Sequence, residues 1–411
     1  MRLRLRLRKW KPKTSQVAFI SLFTCIVLYG STRVREVAQS KRTQSDPLSR
    51  RVSRYLILSS DSQGTQSELH RNSYNGRVHE RKDRTDNFFL KYTKSVKTVR
   101  GNGSQKRKGK YLSERIDPHE YTYLNSPSNV CSDELGNAIH VQLLIFVISS
   151  PDHLKRRDYI RVTYGNAETW EFGNRSIART VFMLGATSDP LLQAKIDDEA
   201  RMYKDIVQES FVDSYLNLTR KTVMGLKWVS TYCRHARFTI KVDDDSMINK
   251  ARILDFIFNA PSTDFMVGNV NINMPVMRKK SGEFAKYYLS EDFYPEAIYP
   301  PYISGNAYMM STDLAEAIYR TALVTPLFPW EDVFVGMCLQ KMGTRLVHDE
   351  YFLCSLLGPR PAGCSDNQWI RYAVFMDLDT DHMMRVWVES SIYADKLLTS
   401  LPALENLENI Y

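Results

Sequence analysis

The sequence predicts an α/β domain whose mainly parallel sheet is flanked by helices, preceded by an N-terminal transmembrane helix. Continuous apolar runs indicate strands that are buried on both faces, as in a parallel sheet. These runs are Ile139–Ile148, Thr180–Leu184, Phe238–Val242 and Phe265–Gly268. Stretches that read as helical lie between them, at about 153–163, 190–203 and 217–233. Strands that alternate with helices in this way are typical of a sheet covered by helices on both faces.

The N-terminal segment predicts a membrane anchor. Seven Lys and Arg residues fall within the first 13 positions, and the apolar run Val17–Tyr29 follows them. With its flanking small residues, this run is at the short end of the roughly 17–25 residues that a membrane helix needs. Positive charge is denser before the run than after it, so we expect residues 1–14 to be a cytosolic tail, 15–32 a signal anchor and the rest luminal. A cleaved signal peptide and a buried helix of a soluble protein are the competing interpretations.

Residues 33–135 are polar and basic, which predicts a largely disordered luminal stem. They carry almost no periodic apolar pattern, so they cannot bury enough surface to offset the entropy lost on folding. Residues 1–135 hold 28 basic and 12 acidic side chains, whereas residues 136–411 hold 28 and 34. The net charge of +10 therefore belongs to the N-terminal third, which argues against a core that binds nucleic acid. We expect residues 136–411 to form one folded domain.

Five of the six cysteines lie in the part of the chain that we expect in the oxidising lumen. Cys25 lies in the predicted anchor, and five more follow at Cys131, Cys233, Cys338, Cys354 and Cys364. Five cysteines allow at most two internal disulfides and leave one thiol over. No C-x-x-C spacing occurs, so neither a zinc site nor a thioredoxin-type site is indicated.

An acid triplet, Asp243-Asp244-Asp245, directly follows a predicted strand. Ligands of open α/β sheets gather at the carboxyl ends of strands. Adjacent carboxylates repel one another unless a cation compensates, and hard divalent ions prefer carboxylate oxygens. The triplet is therefore either a divalent metal site or a solvated acidic turn. A second D-x-D pattern, Asp377-Leu-Asp379, lies in a loosely patterned tail and is interpreted as a chance match.

Two further segments combine acids, aromatics and glycine. In Pro329–Gly336, Glu331 or Asp332 is placed to cap a helix, and a capping carboxylate can also act as a general base. In Tyr299–Tyr308, aromatic residues surround Gly305. We interpret this second segment as a loop that either approaches a ligand or forms a core turn.

Six blocks give the chain a specific resemblance. In chain order they are Arg156–Gly165, Phe182–Gly185, Asp213–Thr222, Lys241–Asp245, Tyr302–Tyr308 and Glu331–Gly336. They resemble the R-R-x-x-I-R-x-T-W-G, F-L-L-G, D-x-Y-x-N-L-T-x-K-T, K-x-D-D-D, Y-x-S-G-x-A-Y and E-D-V-Y-x-G blocks of the β-1,3-galactosyltransferase family. This family, glycosyltransferase family 31, also includes β-1,3-N-acetylglucosaminyltransferases. The resemblance covers about 155–345, and neither the stem nor the residues after about 350.

The blocks depart from the family at two positions. Tyr164 stands where the family usually has Trp, which keeps a ring but changes the local packing. Asn306 stands where Gly is common. The segment Met274–Glu296 resembles the variable acceptor-side region of the family, so the acceptor stays open.

The resemblance implies a GT-A-type fold, a UDP-sugar donor, Mn²⁺ and an inverting displacement in the catalytic domain 136–411. It implies that Asp245 and Asp243 hold the metal, and that Asp243 and Asp244 lie near the ribose and diphosphate. By the same resemblance Asp332 is the general base. It also places four residues at the nucleotide or its pocket, namely Arg157, Arg161, Asp213 and Lys221. For the two arginines, ion pairs under a helix are the alternative.

Other residues complete the expected site. His348 is a candidate third metal ligand, although a lone histidine is more often structural. We expect Tyr302, Gly305, Trp330 and Glu331 to line the donor or acceptor pocket. Three sequons predict luminal glycosylation, at Asn102, Asn174 and Asn217, and Asn217 alternatively caps a helix.

The expected function is therefore transfer of galactose from UDP-galactose to the 3-hydroxyl of an acceptor glycan in the Golgi membrane. The same chemistry with UDP-N-acetylglucosamine is the nearest alternative. A carbohydrate-binding pseudoenzyme on the same fold is an alternative from another class, and the presence of both the acid triplet and Asp332 weighs against it.

Overall fold

The computed structural model describes residues 97–99, 117–172, 175–282, 284–355 and 371–400. The predicted tail 1–14, the anchor 15–32, most of the stem, Asn102 and Asn174 lie outside these residues. Within the described part of the chain, no helix is both long and apolar enough to cross a membrane.

A nine-stranded sheet organises the chain, with a three-stranded and a two-stranded sheet beside it. The strands are β1 (Lys97–Val99), β2 (Tyr123–Asn125), β3 (Leu143–Ile148), β4 (Glu171–Phe172), β5 (Arg175–Ser176), β6 (Ala178–Ala186), β7 (Ile206–Val212), β8 (Phe238–Asp243), β9 (Met247–Ile248), β10 (Met266–Asn271), β11 (Tyr302–Ser311), β12 (Leu346–His348), β13 (Leu353–Ser355) and β14 (Val374–Met376). The order in the large sheet is β1-β12-β10-β11-β8-β3-β6-β7-β2.

This sheet is mixed, which corrects the prediction of a mainly parallel one. The neighbours β8, β3, β6 and β7 are parallel, as the apolar runs predicted. However, β11 lies antiparallel to both β8 and β10. The segment Tyr299–Tyr308 was interpreted as a loop at a ligand or a core turn, but its residues from Tyr302 onward belong to this ten-residue strand. The polar residues and the glycine in its first half interrupt the apolar pattern that predicts a buried strand.

Seven helices are found among the described residues. They are α1 (Leu154–Val162), α2 (Pro190–Tyr203), α3 (Leu218–Tyr232), α4 (Lys250–Asn259), α5 (Thr312–Ala322), α6 (Glu331–Met342) and α7 (Thr380–Ser400). Three agree closely with the predicted stretches. The start of α2 shows why, since Asp189 caps two backbone N–H groups and Pro190 occupies the first turn.

The helices cover both faces of the sheet, because alternate residues of each central strand point to opposite sides. Leu144 and Phe146 of β3 face one core, which α3, α5 and α6 cover. Leu143 and Ile145 face the other core, which includes residues of α1, α2, α4 and α7. The central strands are buried on both sides, so their carboxyl ends are the accessible edge of the layer.

Residues 117–135, which we expected in the stem, pack on the sheet. β2 pairs with β7, and buried His119 lies 2.6 Å from buried Glu209. A disulfide joins Cys131 to Cys233 at the end of α3. Cys354 is also disulfide-bonded, whereas Cys338 is a buried free thiol. The folded region therefore begins before residue 136.

The chain after residue 350 is also part of the fold, although the sequence pattern there was weak. β14 pairs with β13 and with β9, and β9 lies just after the acid triplet. The backbone N–H of Leu378 donates to the carbonyl oxygen of Asp245 at 2.9 Å. The second D-x-D pattern, Asp377-Leu-Asp379, is thus brought beside the first.

Candidate active site

The acid triplet lies at the accessible edge of the sheet, at the end of β8. The carboxyl ends of β3, β6 and β7 meet at the same edge, because these strands run parallel to β8. The three carboxylates have different surroundings. Asp244 is buried, whereas the side chains of Asp243 and Asp245 are each 32% exposed.

Asp244 is held by protein groups. Its carboxylate accepts from Ser149 at 2.6 Å and from Arg156 at 2.8 Å, and His153 Nδ1 lies 2.8 Å away. Burial alone would raise the pKa of Asp244, but these three partners hold it below its ordinary value. Asp244 therefore fastens the start of α1 to the acidic turn, and its expected place near the ribose or diphosphate stays a prediction.

Asp243 and Asp245 are the carboxylates suited to a cation. Loss of solvation raises the pKa of Asp243 to about 7, although Lys241 opposes this rise. The pKa of Asp245 is raised by burial and by the charges of Asp244 and Asp377, against the effect of Arg156. Crowded carboxylates of this kind fit a divalent ion, which would favour their charged forms.

His348 does not join these two carboxylates. It lies on β12, which β10 and β11 separate from β8, and its Nδ1 accepts the backbone N–H of Val270 at 3.1 Å. Within the described residues, no three His, Cys, Asp or Glu side chains come together as a metal site. Spacing along the chain could not reveal that His348 belongs to a distant strand.

Arg157 and Arg161 form ion pairs under α1. Arg157 is fully buried and donates twice to Glu199, at 2.8 and 2.7 Å. Arg161 donates to Glu199 and twice to Asp205. Burying a guanidinium requires such paired carboxylates. Arg156, to which we had assigned no role, is the arginine at the acidic turn, and its guanidinium also lies 3.8 Å from Asp245.

Asp213 and Lys221 tie three strand ends together. Lys221 is buried and donates to Asp213 at 2.9 Å and to the carbonyl oxygen of Ser149 at 2.7 Å. Asp213 also accepts the backbone N–H of Gly185 at 2.7 Å. This pair therefore fastens the ends of β3, β6 and β7 together, and its expected place at the nucleotide or its pocket stays a prediction.

The first turn of α6 lies against β11. A step of two residues on β10, from Gly268 to Val270, is paired with a step of five on β11, from Tyr308 to Ile303, so β11 bulges in this region. A Cβ atom added to Gly305 would lie 2.9 Å from Glu331 Oε2 and 3.4 Å from Asp332 Cβ. The absence of a side chain at Gly305 thus lets the bulge and the helix meet.

The two acids of this turn differ in what they contact. Glu331 is buried and accepts the hydroxyl proton of Tyr308 at 2.5 Å. Asp332 is less buried, and its Oδ1 accepts the backbone N–H of Val333 at 2.8 Å. Loss of solvation raises the pKa of Asp332, while that N–H and the nearby Lys241 lower it. A partly exposed carboxylate with a raised pKa is suited to accept a proton.

Aromatic side chains from separate segments surround Asp332. Trp330 and Tyr287 meet edge to face, with ring centroids 5.5 Å apart. Burial raises the pKa of Tyr215, with further contributions from the neighbouring Tyr287 and the charge of Asp332, and burial and the charge of Asp332 also raise the pKa of Tyr302. Tyr215 and Tyr287 were not predicted. Tyr215 lies in the third family-like block, and Tyr287 lies in the segment Met274–Glu296, but no pattern singled out either residue.

Asn217 has a structural position. Its Nδ2 donates to the carbonyl oxygen of Val212 at 2.8 Å, and its Oδ1 accepts from Arg220 at 2.6 Å. The hydroxyl of Thr219 is buried and donates to the carbonyl oxygen of Phe328. Both residues of this sequon therefore hold the start of α3, but the side chain of Asn217 does not cap the helix, which corrects that alternative.

Gly305→Ala tests the close approach of β11 and α6. We expect a loss of about 1–3 kcal/mol in the free energy of unfolding, because the new Cβ collides with Glu331 and crowds Asp332. Urea denaturation measures this loss.

The matched control repeats the substitution in a Glu331→Ala background, where the colliding oxygen is absent. There the cost of Gly305→Ala should shrink. Costs that add to within about 0.5 kcal/mol would contradict the contact.

Comparisons of the sequence with known proteins show its family. The sequence profile of a family described as Galactosyltransferase matches residues 155–350, which contain all the site residues named above except Ser149, His153 and Asp377. Mouse beta-1,3-galactosyltransferase 1 is 36% identical over 239 residues, which cover 57% of this chain and 69% of the mouse protein. Lactosylceramide 1,3-N-acetyl-beta-D-glucosaminyltransferase A of Xenopus laevis is 32% identical over 289 residues, which cover 68% of this chain and 74% of that protein.

These similarities extend over more than two thirds of each relative and confirm the resemblance seen in the six blocks. The chain therefore belongs to the β-1,3-galactosyltransferase family and is a glycosyltransferase.

Proposed function

We propose that this chain is an inverting, GT-A-type enzyme that transfers galactose from UDP-galactose to the 3-hydroxyl of an acceptor glycan. One observation carries the proposal. The bulge of β11 meets the first turn of α6, so Asp332 lies beside β11, the strand that pairs with β8 and its acidic turn. A donor whose diphosphate lies at Asp243 and Asp245 would then present its anomeric carbon toward Asp332.

Asp243 and Asp245 would hold Mn²⁺ together with the diphosphate. Their partial exposure and raised pKa values fit this role, because a cation offsets the repulsion between crowded carboxylates. Bound there, the ion would supply charge neutralisation for the departing UDP. Asp244, fixed by Ser149 and Arg156, would hold the turn in shape.

Asp332 would act as the general base. As the acceptor oxygen forms its bond to the anomeric carbon, its proton passes to the Asp332 carboxylate, and the bond between that carbon and the UDP oxygen breaks. Attack opposite the leaving group converts an α-linked donor into a β-linked product. Holding the hydroxyl and the anomeric carbon in line accounts for much of the rate enhancement in a reaction of this kind.

The aromatic cluster around Asp332 would bind the acceptor sugar. Tyr287 lies in the segment Met274–Glu296, which we assigned to the acceptor side. Lys286 lies 4.8 Å from the Tyr287 ring centroid and 5.8 Å from that of Tyr215, which ties this segment to the end of β7. Stacking of a pyranose on such rings would place its 3-hydroxyl at the carboxylate.

The donor has one competing assignment. The relatives include a beta-1,3-galactosyltransferase and a 1,3-N-acetyl-beta-D-glucosaminyltransferase, so UDP-N-acetylglucosamine is the second candidate. The family description and the more similar relative favour galactose. Comparing UDP release from the two donors distinguishes them, and release from UDP-N-acetylglucosamine alone would reassign the donor.

We also place the enzyme in the Golgi membrane, anchored by residues 15–32 with its catalytic domain in the lumen. The disulfide between Cys131 and Cys233 supports an oxidising compartment. Protease added to sealed microsomes should leave the C-terminal domain intact. Its digestion without detergent would overturn this topology.

Asp332→Asn tests the general base. We expect turnover to fall at least about 100-fold because the amide cannot accept the proton, while affinity for UDP is retained. In the wild type, kcat/KM should rise with pH as Asp332 loses its proton, and the raised pKa places this rise above the ordinary aspartate range. Steady-state kinetics across pH measure both effects.

Asp189→Asn is the matched control, because asparagine also caps a helix and Asp189 lies on α2. It should leave turnover unchanged. Near-normal turnover in Asp332→Asn would remove Asp332 as the base.

Removal of divalent metal tests the role of Asp243 and Asp245. EDTA should abolish transfer and added Mn²⁺ should restore it. Asp245→Asn should raise the Mn²⁺ concentration needed for half-maximal rate at least about tenfold, since it removes a charged ligand. Transfer that continues unchanged in EDTA would contradict the metal assignment.

A further inference from the structure

Lys241 is a buried charge in the centre of the sheet. It lies on β8, opposite Phe146 of β3 and Tyr308 of β11, and its side chain is 3% exposed. Removing an ammonium group from water costs several kcal/mol unless it is paired and hydrogen-bonded. A lysine at this position therefore needs strong partners.

Its partners come from three elements that meet at the site. The ammonium donates to Asp243 Oδ1 at 2.6 Å and to the carbonyl oxygen of Gly305, and it lies 3.8 Å from Glu331 Oε2. An ammonium has three N–H donors, so these three oxygens match its capacity. Asp243 belongs to the acidic turn, Gly305 to the bulge of β11, and Glu331 to the first turn of α6.

We propose that Lys241 is a positioning residue that fixes the first turn of α6, and with it Asp332, relative to the acidic turn. The proposal rests on the function proposed above. Asp243 and Asp332 are almost ninety residues apart in the chain, and their elements meet through the bulge of β11. The ammonium contacts the strand end, the bulge and the helix at once.

Glu331 connects Lys241 to the helix turn that carries Asp332. One carboxylate oxygen of Glu331 accepts from Tyr308 and the other faces Lys241, so the side chain is held from two sides. Asp332 follows directly on the same turn. A shift of Glu331 would therefore move the base, and a misplacement of about 1 Å can reduce a rate about 100-fold.

Lys241→Met in the full-length chain, solubilised in detergent, tests this inference. Methionine keeps most of the side-chain volume and removes the three donors. We expect kcat to fall at least about 30-fold, while the KM values for donor and acceptor change less than about fivefold, because alignment rather than affinity is lost.

Lys227→Met is the matched control. Lys227 also donates to a carboxylate at 2.6 Å, that of Glu209, but it lies on α3 beside β2 and β7. The Lys227→Met variant should have a lower melting temperature and a kcat close to that of the wild type. Equal kcat losses in the two variants, or a Lys241→Met variant with kcat within about threefold of the wild type, would overturn the inference.

A double-mutant cycle tests the inference if the Lys241→Met variant does not fold and cannot be purified. Asp243→Asn and Glu331→Gln remove the two carboxylates that share the ammonium. Their effects on kcat should be non-additive by at least about fivefold, and additive effects would overturn the inference. An inactive wild-type chain would instead overturn the proposed function, and this inference with it.

Discussion

The site depends on one buried contact, in which a lysine ammonium joins the end of β8, the bulge of β11 and the start of α6. Without Lys241, the buried Glu331 and the partly exposed Asp243 would lose the positive charge that they share. The absence of a side chain at Gly305 then allows the helix to come close enough for this bond. A charge that is costly to bury is thereby stabilised only when the three elements are in place.

Buried charges that are paired within the protein also hold the donor side of the site. Lys221 and Asp213 fasten the ends of β3, β6 and β7, and Asp244 fastens the acidic turn to Ser149 and α1. These charges are satisfied by protein, so they form a rigid frame. Asp243, Asp245 and Asp332 are the carboxylates that retain exposure and raised pKa values. The paired charges therefore support the site, whereas these three carboxylates can contact a substrate.

Local sequence patterns predicted the elements that depend on local forces. The apolar runs located β3, β6 and β8, and the helical stretch at about 190–203 agrees with α2. The sequence patterns did not predict which residues the charged side chains contact. Arg157 and Arg161 form ion pairs with Glu199, and Arg156 donates to Asp244 in the acidic turn. His348 is separated from that turn by two strands, β10 and β11. These outcomes depend on which strands and helices become neighbours. For the same reason β11, with its polar residues and bulge, was interpreted as a loop.

The anomeric configuration of the product tests the account most directly. The full-length chain would be incubated with UDP-galactose, Mn²⁺ and a panel of simple acceptor glycosides, and the product analysed by NMR. The account predicts galactose in β linkage to the 3-hydroxyl of the acceptor, because Asp332 directs the hydroxyl to the face opposite UDP. An α-linked product, or release of free galactose without transfer to any acceptor, would contradict it.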